Sequence, residues 1–449
     1  MIDFTLTEEQ LALQQKARDF ALKEILPVAW YFDEKDEMPL FILERAYKAG
    51  LMNLAIPKKY GGLGLDNLTI SLAVEEFAAC GPGMATSIFD NGLGEEPVIF
   101  CDNEAVKEKY LTDLIKNFKL ISFATSETSM GSDVAGMRCK ATPDGEDYIL
   151  NGTKYWVTNG GYADYLSMFA TTDRKLRHKA IAGFLVDMKW DGVSVMDHIP
   201  KMGQRCSNTV AVKLENVRVP AENVLGKEGG PGFALAMKTF AHTRPMIGSF
   251  AVGAARSAME FAMHYAATRK AFGQPIGAFQ GIQFKLAEMY QKVETARLMV
   301  WRSAWESDNK ADGTLWASMA KFYTTEAAFE VANDALQILG GYGYTKYFPV
   351  EKLLRDVRLL QIYEGTNQVQ RMVVLKYLMK GAVKPIMPPL EKLPRLRADD
   401  IEEASRMGMQ KQIVWRCKVC GHLHYGDEPP EECPVCRMKK GAFKKVWPQ

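Results

Sequence analysis

Apolar positions recur along the chain at two different periods, and the switches between them divide it. Leu13, Ala17, Phe20 and Ala21 return every three to four residues, which marks an amphipathic helix. Thr7-Glu8-Glu9-Gln10 just ahead of them reads as a capping box flanked by Leu6 and Leu11. That helix should stop at Pro27, with further helices over 40–49 and about 69–79. Pro57-Lys58-Lys59-Tyr60-Gly61-Gly62-Leu63-Gly64 lies between these two. No strand precedes it and its spacing fits no phosphate-binding loop, so a tight turn is expected. Near Leu120 the period changes: short apolar runs alternate with turn signals over 121–225, the pattern of a β domain. Within it, 147–157 reads as a hairpin turning at Asn151-Gly152, and Asn159-Gly160-Gly161 as another turn. Phe169-Ala170 and the segments 183–186, 193–196 and 210–214 read as strands.

Helical spacing returns from about Phe233. Ile247, Ala251, Ala254, Ala258, Phe261 and Tyr265 form one stripe; Leu286, Met289, Val293 and Ala296 a second; Ala327, Val331, Ala335 and Ile338 a third. Each is expected to be core, and the small residues allow close helix packing. Beyond Lys380 come Pro385, Pro388, Pro389 and Pro394, then Asp399-Asp400, the composition of a linker. The expected organisation is a multi-domain α+β chain. It has an N-terminal α-helical domain at 1–119, a middle β domain at 120–228, a C-terminal helical domain at 229–380, a linker at 381–410 and a small cysteine-bearing domain at 411–449.

With 449 residues, 47% hydrophobic and 24% charged, the chain can build more than one large core. A net charge of +2 makes no case for nucleic acid as a partner. No apolar run is long enough for a transmembrane segment. Met1-Ile2-Asp3-Phe4 opens neither a basic nor an apolar leader, so a cytoplasmic location is expected. Of the eight cysteines, Cys80, Cys101, Cys139 and Cys206 are scattered and read as small buried hydrophobes. Cys417, Cys420, Cys433 and Cys436 form two Cys-x-x-Cys pairs separated by twelve residues. Four thiolates so spaced can close a tetrahedral site for iron or zinc, and a structural zinc ribbon is the plainer of those uses. His422 and His424 nearby are read as surface residues, because four cysteines already fill such a shell.

The candidate chemistry centres on Gln361-Ile362-Tyr363-Glu364-Gly365-Thr366-Asn367-Gln368. Gly365 allows another group close to the backbone, and Thr366 can cap the helix that follows. Glu364, at a helix entrance beside an aromatic ring, is placed for a raised pKa and general-base work. The same residue could simply complement the helix dipole.

Other motifs decide between those readings. Phe123-Ala124-Thr125-Ser126-Glu127-Thr128-Ser129-Met130-Gly131-Ser132-Asp133 resembles the first signature of the acyl-CoA dehydrogenase family. Gln337-Ile338-Leu339-Gly340-Gly341, Arg355-Asp356 and Ile362-Tyr363-Glu364-Gly365-Thr366 resemble its second. Trp156-Val157-Thr158-Asn159-Gly160, Thr243-Arg244-Pro245 and Arg269-Lys270-Ala271-Phe272-Gly273 match as well, and the likeness runs from Leu6 to about Leu378.

The resemblance implies a middle domain that is β-barrel-like, a C-terminal four-helix bundle, and FAD-dependent removal of hydrogens from Cα and Cβ of an acyl-CoA. It makes Glu364 the α-proton base. Phe123, Thr125, Ser126, Gly131, Ser132, Trp156, Val157, Thr158, Thr366 and Gln368 would bind FAD. Arg269, Phe272, Gln280, Gln337, Gly340 and Gly341 would meet the FAD of a neighbouring copy, with a homotetramer as the family habit. Ser132, Thr243, Arg244 and Gly365 would touch substrate. Ala241 stands where the family often has an Asp, and Met130 where Ala is usual, so the acyl group is left open.

The tail resembles the rubredoxin domain that ends rubrerythrins: Trp415-Arg416-Cys417, Gly421, Cys433-Pro434 and a late Phe443. Beside a flavin, an iron bound by Cys417, Cys420, Cys433 and Cys436 is the expected metal, with zinc as the alternative. The combined expectation is acyl-CoA dehydrogenation, or the reverse enoyl-CoA reduction, with electrons relayed through the iron to an electron-transfer flavoprotein or similar carrier. An acyl-CoA oxidase, or a flavoprotein scaffold without activity, are the readings it competes with.

Overall fold

In the computed structural model, which describes residues 4–310, 312–381, 386–387 and 413–447, the capping box opens helix α1 (Glu8–Phe20). Gln10 N donates to Thr7 Oγ1 at 3.2 Å, and Thr7 N donates to Gln10 Oε1 at 3.0 Å. The expected linker falls almost wholly outside the described residues. The chain forms two compact units, Met1–Lys380 and Gly381–Gln449. After α1 come α2 (Ala29–Lys35), α3 (Leu40–Lys48), α4 (Asn67–Cys80), α5 (Pro82–Phe100) and the short α6 (Glu104–Val106) and α7 (Thr112–Lys116).

Helix α5 has a poor helical sequence, with Gly83, Gly92, Gly94 and Pro97 inside it. Packing explains it: a Cβ on Gly83 would stand 2.8 Å from Cys206 Sγ, and one on Gly94 2.5 Å from the Ile121 carbonyl oxygen. Tertiary contact here overrides propensity. The helix buries Asp90, Glu95 and Glu96. Glu95 is fully enclosed with neither oxygen hydrogen-bonded, and burial, then the charge of Glu96, pushes its pKa up to about 8. Between the unfolded value of 4.5 and about 8 the folded chain therefore holds a proton that the unfolded chain has released, so stability falls as pH rises through that window. We expect the denaturation midpoint to drop from pH 5 to pH 8, and Glu95→Gln to remove up to about 1.4 kcal/mol per pH unit from that slope. Equal slopes in chemical-denaturation titrations of the two proteins would refute this.

The middle domain contains β1 (Ile121–Ala124), β2 (Lys140–Asp144), β3 (Asp147–Thr158), β4 (Tyr165–Thr171), β5 (Ile181–Asp187), β6 (Val193–Val195), β7 (Thr209–Val219) and β8 (Val224–Gly226). They run in the order β6-β7-β3-β2-β4-β5-β8, with β1 parallel to β4. The hairpin expected over 147–157 is instead one strand. Its turn lies earlier, at Gly145, where Asp144 faces Asp147. Asn151-Gly152 is a bulge where the register against β7 slips. Gly152 takes φ 149° because a Cβ there would lie 2.8 Å from Cys139 Cα.

The last third builds a helical bundle from α8 (Pro231–Thr268), α9 (Gln280–Asn309), α10 (Thr314–Leu339), α11 (Val350–Leu360) and α12 (Asn367–Met379). The two-residue strands β9 (Lys270–Ala271) and β10 (Gln274–Pro275) join α8 to α9. Ile247, Ala251, Ala254 and Ala258 of the first stripe, Met289, Val293 and Ala296 of the second, and Val331, Ala335 and Ile338 of the third are buried in one cluster with residues of α3, α4 and α5, while Leu286, Phe261 and Tyr265 pack against it partly buried. Arg256 pairs with Glu76 at 2.7 Å, Arg297 with Glu75 at 3.0 Å and Arg18 with Glu76 at 2.7 Å, pinning α1, α4, α8 and α9 together. The fourth rod of the bundle is broken into α11 and α12, and the break carries Glu364. In the second unit, β11 (Val414–Cys417) pairs antiparallel with both β12 (Leu423–Tyr425) and β13 (Phe443–Trp447). Among its described residues the buried cluster is Cys417, Cys433 and Phe443, too small to hold that segment by apolar burial alone.

Candidate active site

Between α11 and α12 the backbone turns left-handed twice, with φ 55° at Glu364 and 84° at Gly365. Such a conformation at a glutamate costs about 1–3 kcal/mol and persists only when neighbours fix it. Arg244 Nε (3.2 Å) and Gln370 Nε2 (3.3 Å) donate to the Glu364 carbonyl. Lys321 Nζ (2.9 Å) and Gln370 Nε2 (3.0 Å) donate to that of Gly365. Lys321 also reaches Asn367 Oδ1 at 2.9 Å, and Thr366 Oγ1 accepts from Val369 N at 3.3 Å to cap α12.

The Glu364 carboxylate itself receives Thr243 Oγ1 at 3.3 Å. Desolvation pushes its pKa up to about 7, against the downward pull of Arg244, Lys321 and Thr243. Burial brings Lys321 down to about 7 as well. The result is a carboxyl poised to take a proton near neutrality, on a bend clamped from α8, α10 and α12. Thr243 and Arg244, expected at the substrate, stand here at the base. Arg244 is buried and committed to the Glu364 carbonyl.

The segments expected to hold FAD are brought together by a buried ion pair. Lys154 Nζ lies 2.9 Å from Glu127 Oε1 and donates to the Thr125 carbonyl at 3.0 Å. Glu127 also accepts from the backbone N–H groups of Arg138 (2.7 Å) and Cys139 (2.9 Å). Tyr155 N donates to the Ser126 carbonyl at 2.9 Å, and Ser122 Oγ to that of Thr158 at 2.6 Å. Phe123, Thr125 and Ser126 therefore sit beside Trp156, Val157 and Thr158. Phe123, Thr125 and Val157 are buried, while Trp156 is 56% exposed at φ 64°. A half-bare indole held in a strained conformation is a surface built to meet a flat ring, so these residues fit a flavin.

Gly131 and Ser132 lie exposed in the loop that rims a groove of about 940 Å³. Arg138, Lys140, Arg174, Lys175 and Arg177 line it, with Arg177 paired to Asp133 at 2.6 Å. Met130 packs beneath the loop, in the buried cluster that β1, β4 and β5 share with α5 and α8. A third group stands apart on the bundle. Arg269 lies 6.0 Å from the ring of Tyr342, in the turn that Gly340 and Gly341 open, and Phe272 is 95% exposed. Gln280, Gln337 and Gln368 are exposed too.

In the second unit the Sγ atoms of Cys417, Cys420, Cys433 and Cys436 lie within 4.8 Å of one another. Cys417 faces Cys436, and Cys420 faces Cys433, each at 3.5 Å. A tetrahedron with metal–sulfur bonds of about 2.3 Å has edges of about 3.8 Å, so the four thiols fit one ion. The two knuckles share a backbone form. Gly421 N donates to the Cys417 carbonyl at 3.0 Å and Arg437 N to that of Cys433 at 2.9 Å, and both residues are left-handed. The Cys420 N–H aimed at its sulfur holds the Cys417 thiol down to about 7. His422 and His424 stay outside this group.

Sequence reasoning missed Lys321 and Gln370. The signal for Lys321 was a lone cation on the buried face of α10, between Ala317 and Ala328.

Three consecutive stretches match the acyl-CoA dehydrogenase N-terminal domain (7–117), middle domain (122–217) and C-terminal domain (230–379). Residues 415–444 match the rubredoxin-like domain of rubrerythrin. A probable acyl-CoA dehydrogenase of Bacillus subtilis is 39% identical over 84% of this chain and 100% of its own length. The mitochondrial short-chain specific acyl-CoA dehydrogenase of Bos taurus is 39% identical over 84% of this chain and 91% of its own. Butyryl-CoA dehydrogenase from Megasphaera elsdenii superimposes with a TM-score of 0.82 at 36% identity, over 84% of this chain and 100% of that one. A chain in the solved structure of the electron transferring flavoprotein of Acidaminococcus fermentans does so with the same score, identity and coverage.

Proposed function

Because the chain belongs to the acyl-CoA dehydrogenase family and carries a rubredoxin-like domain, we propose that it removes hydrogens from Cα and Cβ of a short acyl-CoA, or runs the reverse reduction. The observation that carries this reading is Glu364 itself: a desolvated carboxyl with its pKa near 7, fixed on a strained bend by donors that leave the carboxylate with Thr243 alone. Glu364 takes the α-proton. The hydrogen bonds to its carbonyl keep the carboxylate from swinging away, which is what converts a weak base into an effective one. Thr243, Arg244 and Lys321 position the base, and Gly365 lets the thioester approach the backbone.

FAD, held by Phe123, Thr125, Ser126, Gly131, Ser132, Trp156, Val157, Thr158, Thr366 and Gln368, would supply the acceptor for the Cβ hydride. Exposed Arg269, Phe272, Gln280, Gln337, Gly340 and Gly341 would complete the site of a neighbouring copy in a homotetramer. The cationic groove beside Ser132 suits the phosphates of CoA. The short acyl length is suggested by the short-chain and butyryl-CoA relatives. A four-cysteine iron would supply a one-electron carrier toward an electron-transfer flavoprotein or similar partner.

The test is anaerobic mixing of the flavin-loaded protein with butanoyl-CoA while the visible spectrum is followed. Bleaching is expected. Since the protonated base is inert, kcat/KM should fall about tenfold per pH unit below about pH 7 and level off above it. A profile flat from pH 5 to 8 would remove Glu364 as the base. Stoichiometric hydrogen peroxide under air would make the enzyme an oxidase.

A further inference from the structure

The two cysteine knuckles leave more at the surface than a metal clip needs. In Cys417-Lys418-Val419-Cys420 and Cys433-Pro434-Val435-Cys436, every intervening residue stands one Cα step, about 3.8 Å, from a cysteine. The four Sγ atoms lie within 4.8 Å of one another, so these residues share one end of the domain. Val419 is 61% exposed and Val435, at the same place in the other knuckle, 64%. Met438, just beyond the second knuckle, is 42% exposed. Cys420 is exposed as well, whereas Cys417 and Cys433 are buried. One apolar side chain in water is ordinary, but three gathered about an exposed thiol mark a contact surface.

The charges at this end are one-sided. Residues 413–447 carry seven Lys and Arg against four Asp and Glu. Glu432 pairs with Lys439 at 2.7 Å, and Glu428 and Glu431 share Lys440 at 2.7 and 3.2 Å. The fourth carboxylate, Asp427, stands in the bend after β12. Lys418, inside the first knuckle, and Arg437, directly after the second, are exposed and pair with no carboxylate among the described residues. Arg437 takes φ 57° where the first knuckle has Gly421 at φ 78°. The second knuckle thus carries a guanidinium at a place the backbone alone would give to glycine.

An apolar centre with unopposed cations at its rim is the anatomy of an interface that selects by charge. We propose that this end of the cysteine domain is the docking face for a separate one-electron carrier protein whose own docking surface is acidic. Carboxylates of the carrier meet Lys418 and Arg437, and its apolar centre meets Val419, Val435 and Met438. Encounters of this size bury little area and part quickly, which suits a carrier. A partner with a basic docking surface is turned away. This rests on the proposed electron-relay reading of the four-cysteine site and adds the chemistry of the partner.

The test measures binding rather than turnover. The full-length protein, loaded with flavin and metal, is titrated calorimetrically with three probes. A plant-type 2Fe–2S ferredoxin and a flavodoxin are acidic, and cytochrome c is basic. We expect an acidic carrier to bind, with affinity falling about tenfold or more between about 20 and about 150 mM salt, and cytochrome c not to bind. Lys418→Glu with Arg437→Glu should weaken that binding about tenfold or more at low salt, at unchanged metal content and protease resistance. Lys418→Gln with Arg437→Gln should weaken it less, in the same direction. Failure of both acidic carriers to bind at low salt overturns the assignment, as do affinities untouched by charge reversal and tighter binding of cytochrome c. Docking retained on protein whose four cysteines hold stoichiometric zinc would keep the face and overturn the electron-relay reading instead.

Discussion

Glu364→Gln is expected to slow reduction of the bound flavin by acyl-CoA about 10²–10⁴-fold while the protein stays folded. Glutamine keeps the length and the Thr243 hydrogen bond, and the side-chain donors of Arg244 and Gln370 address the backbone carbonyl of residue 364 rather than its side chain. What is lost is a base whose pKa burial has raised to about 7. A desolvated carboxyl becomes a neutral amide, so thermal stability should hold or rise at pH 8. Affinity for acyl-CoA should change little, because the deficit is in proton removal. Single-turnover mixing monitored at the flavin band, beside a thermal scan, measures both halves. A loss below tenfold would mean that another group takes the proton.

The second large effect concerns the cysteine domain. Cys417→Ser should abolish stoichiometric metal and unfold the described segment 413–447, because apolar burial there amounts to Cys417, Cys433 and Phe443. Metal binding contributes about 10–16 kcal/mol to such modules, far more than so small a core can replace. Limited proteolysis should then cleave this region of the variant and spare it in the wild type. Metal analysis and the visible spectrum decide the ion. Ferric-thiolate absorption in the wild type, absent in the variant, supports iron, whereas stoichiometric zinc reduces the domain to a structural or docking role. Flavin bleaching by acyl-CoA should persist in the variant, and electron delivery to an external carrier should fall. An intact, protease-resistant tail without metal would show that the thiols are not what folds it.

The helical stripes and the β segment were readable because their periods differ, 3.6 against 2, and because buried faces must be apolar. Two local features escaped for opposite reasons. The Asn151-Gly152 pair has ideal turn chemistry, yet Gly152 answers to the nearby Cys139 backbone rather than to a reversal. Helix α5 has breaker residues, yet each glycine at a contact is there to let Cys206 or Ile121 in. Propensity describes a residue alone, and both cases were settled by a neighbour distant in sequence. Within the site, Glu364 and the four cysteines announced themselves by motif. Lys321 did not, since a buried charge is defined by what surrounds it, and its partners Gly365 and Asn367 lie more than forty residues along the chain.

The left-handed bend at residues 364 and 365 sets two selective pressures against each other. Glycine and asparagine adopt that backbone with least strain, so a population chosen for heat resistance alone would drift toward them at position 364. A population chosen for turnover must keep a glutamate there and tolerate the strain. Among otherwise similar chains, a relaxed residue at this bend would therefore mark a lineage that has stopped drawing on this carboxyl.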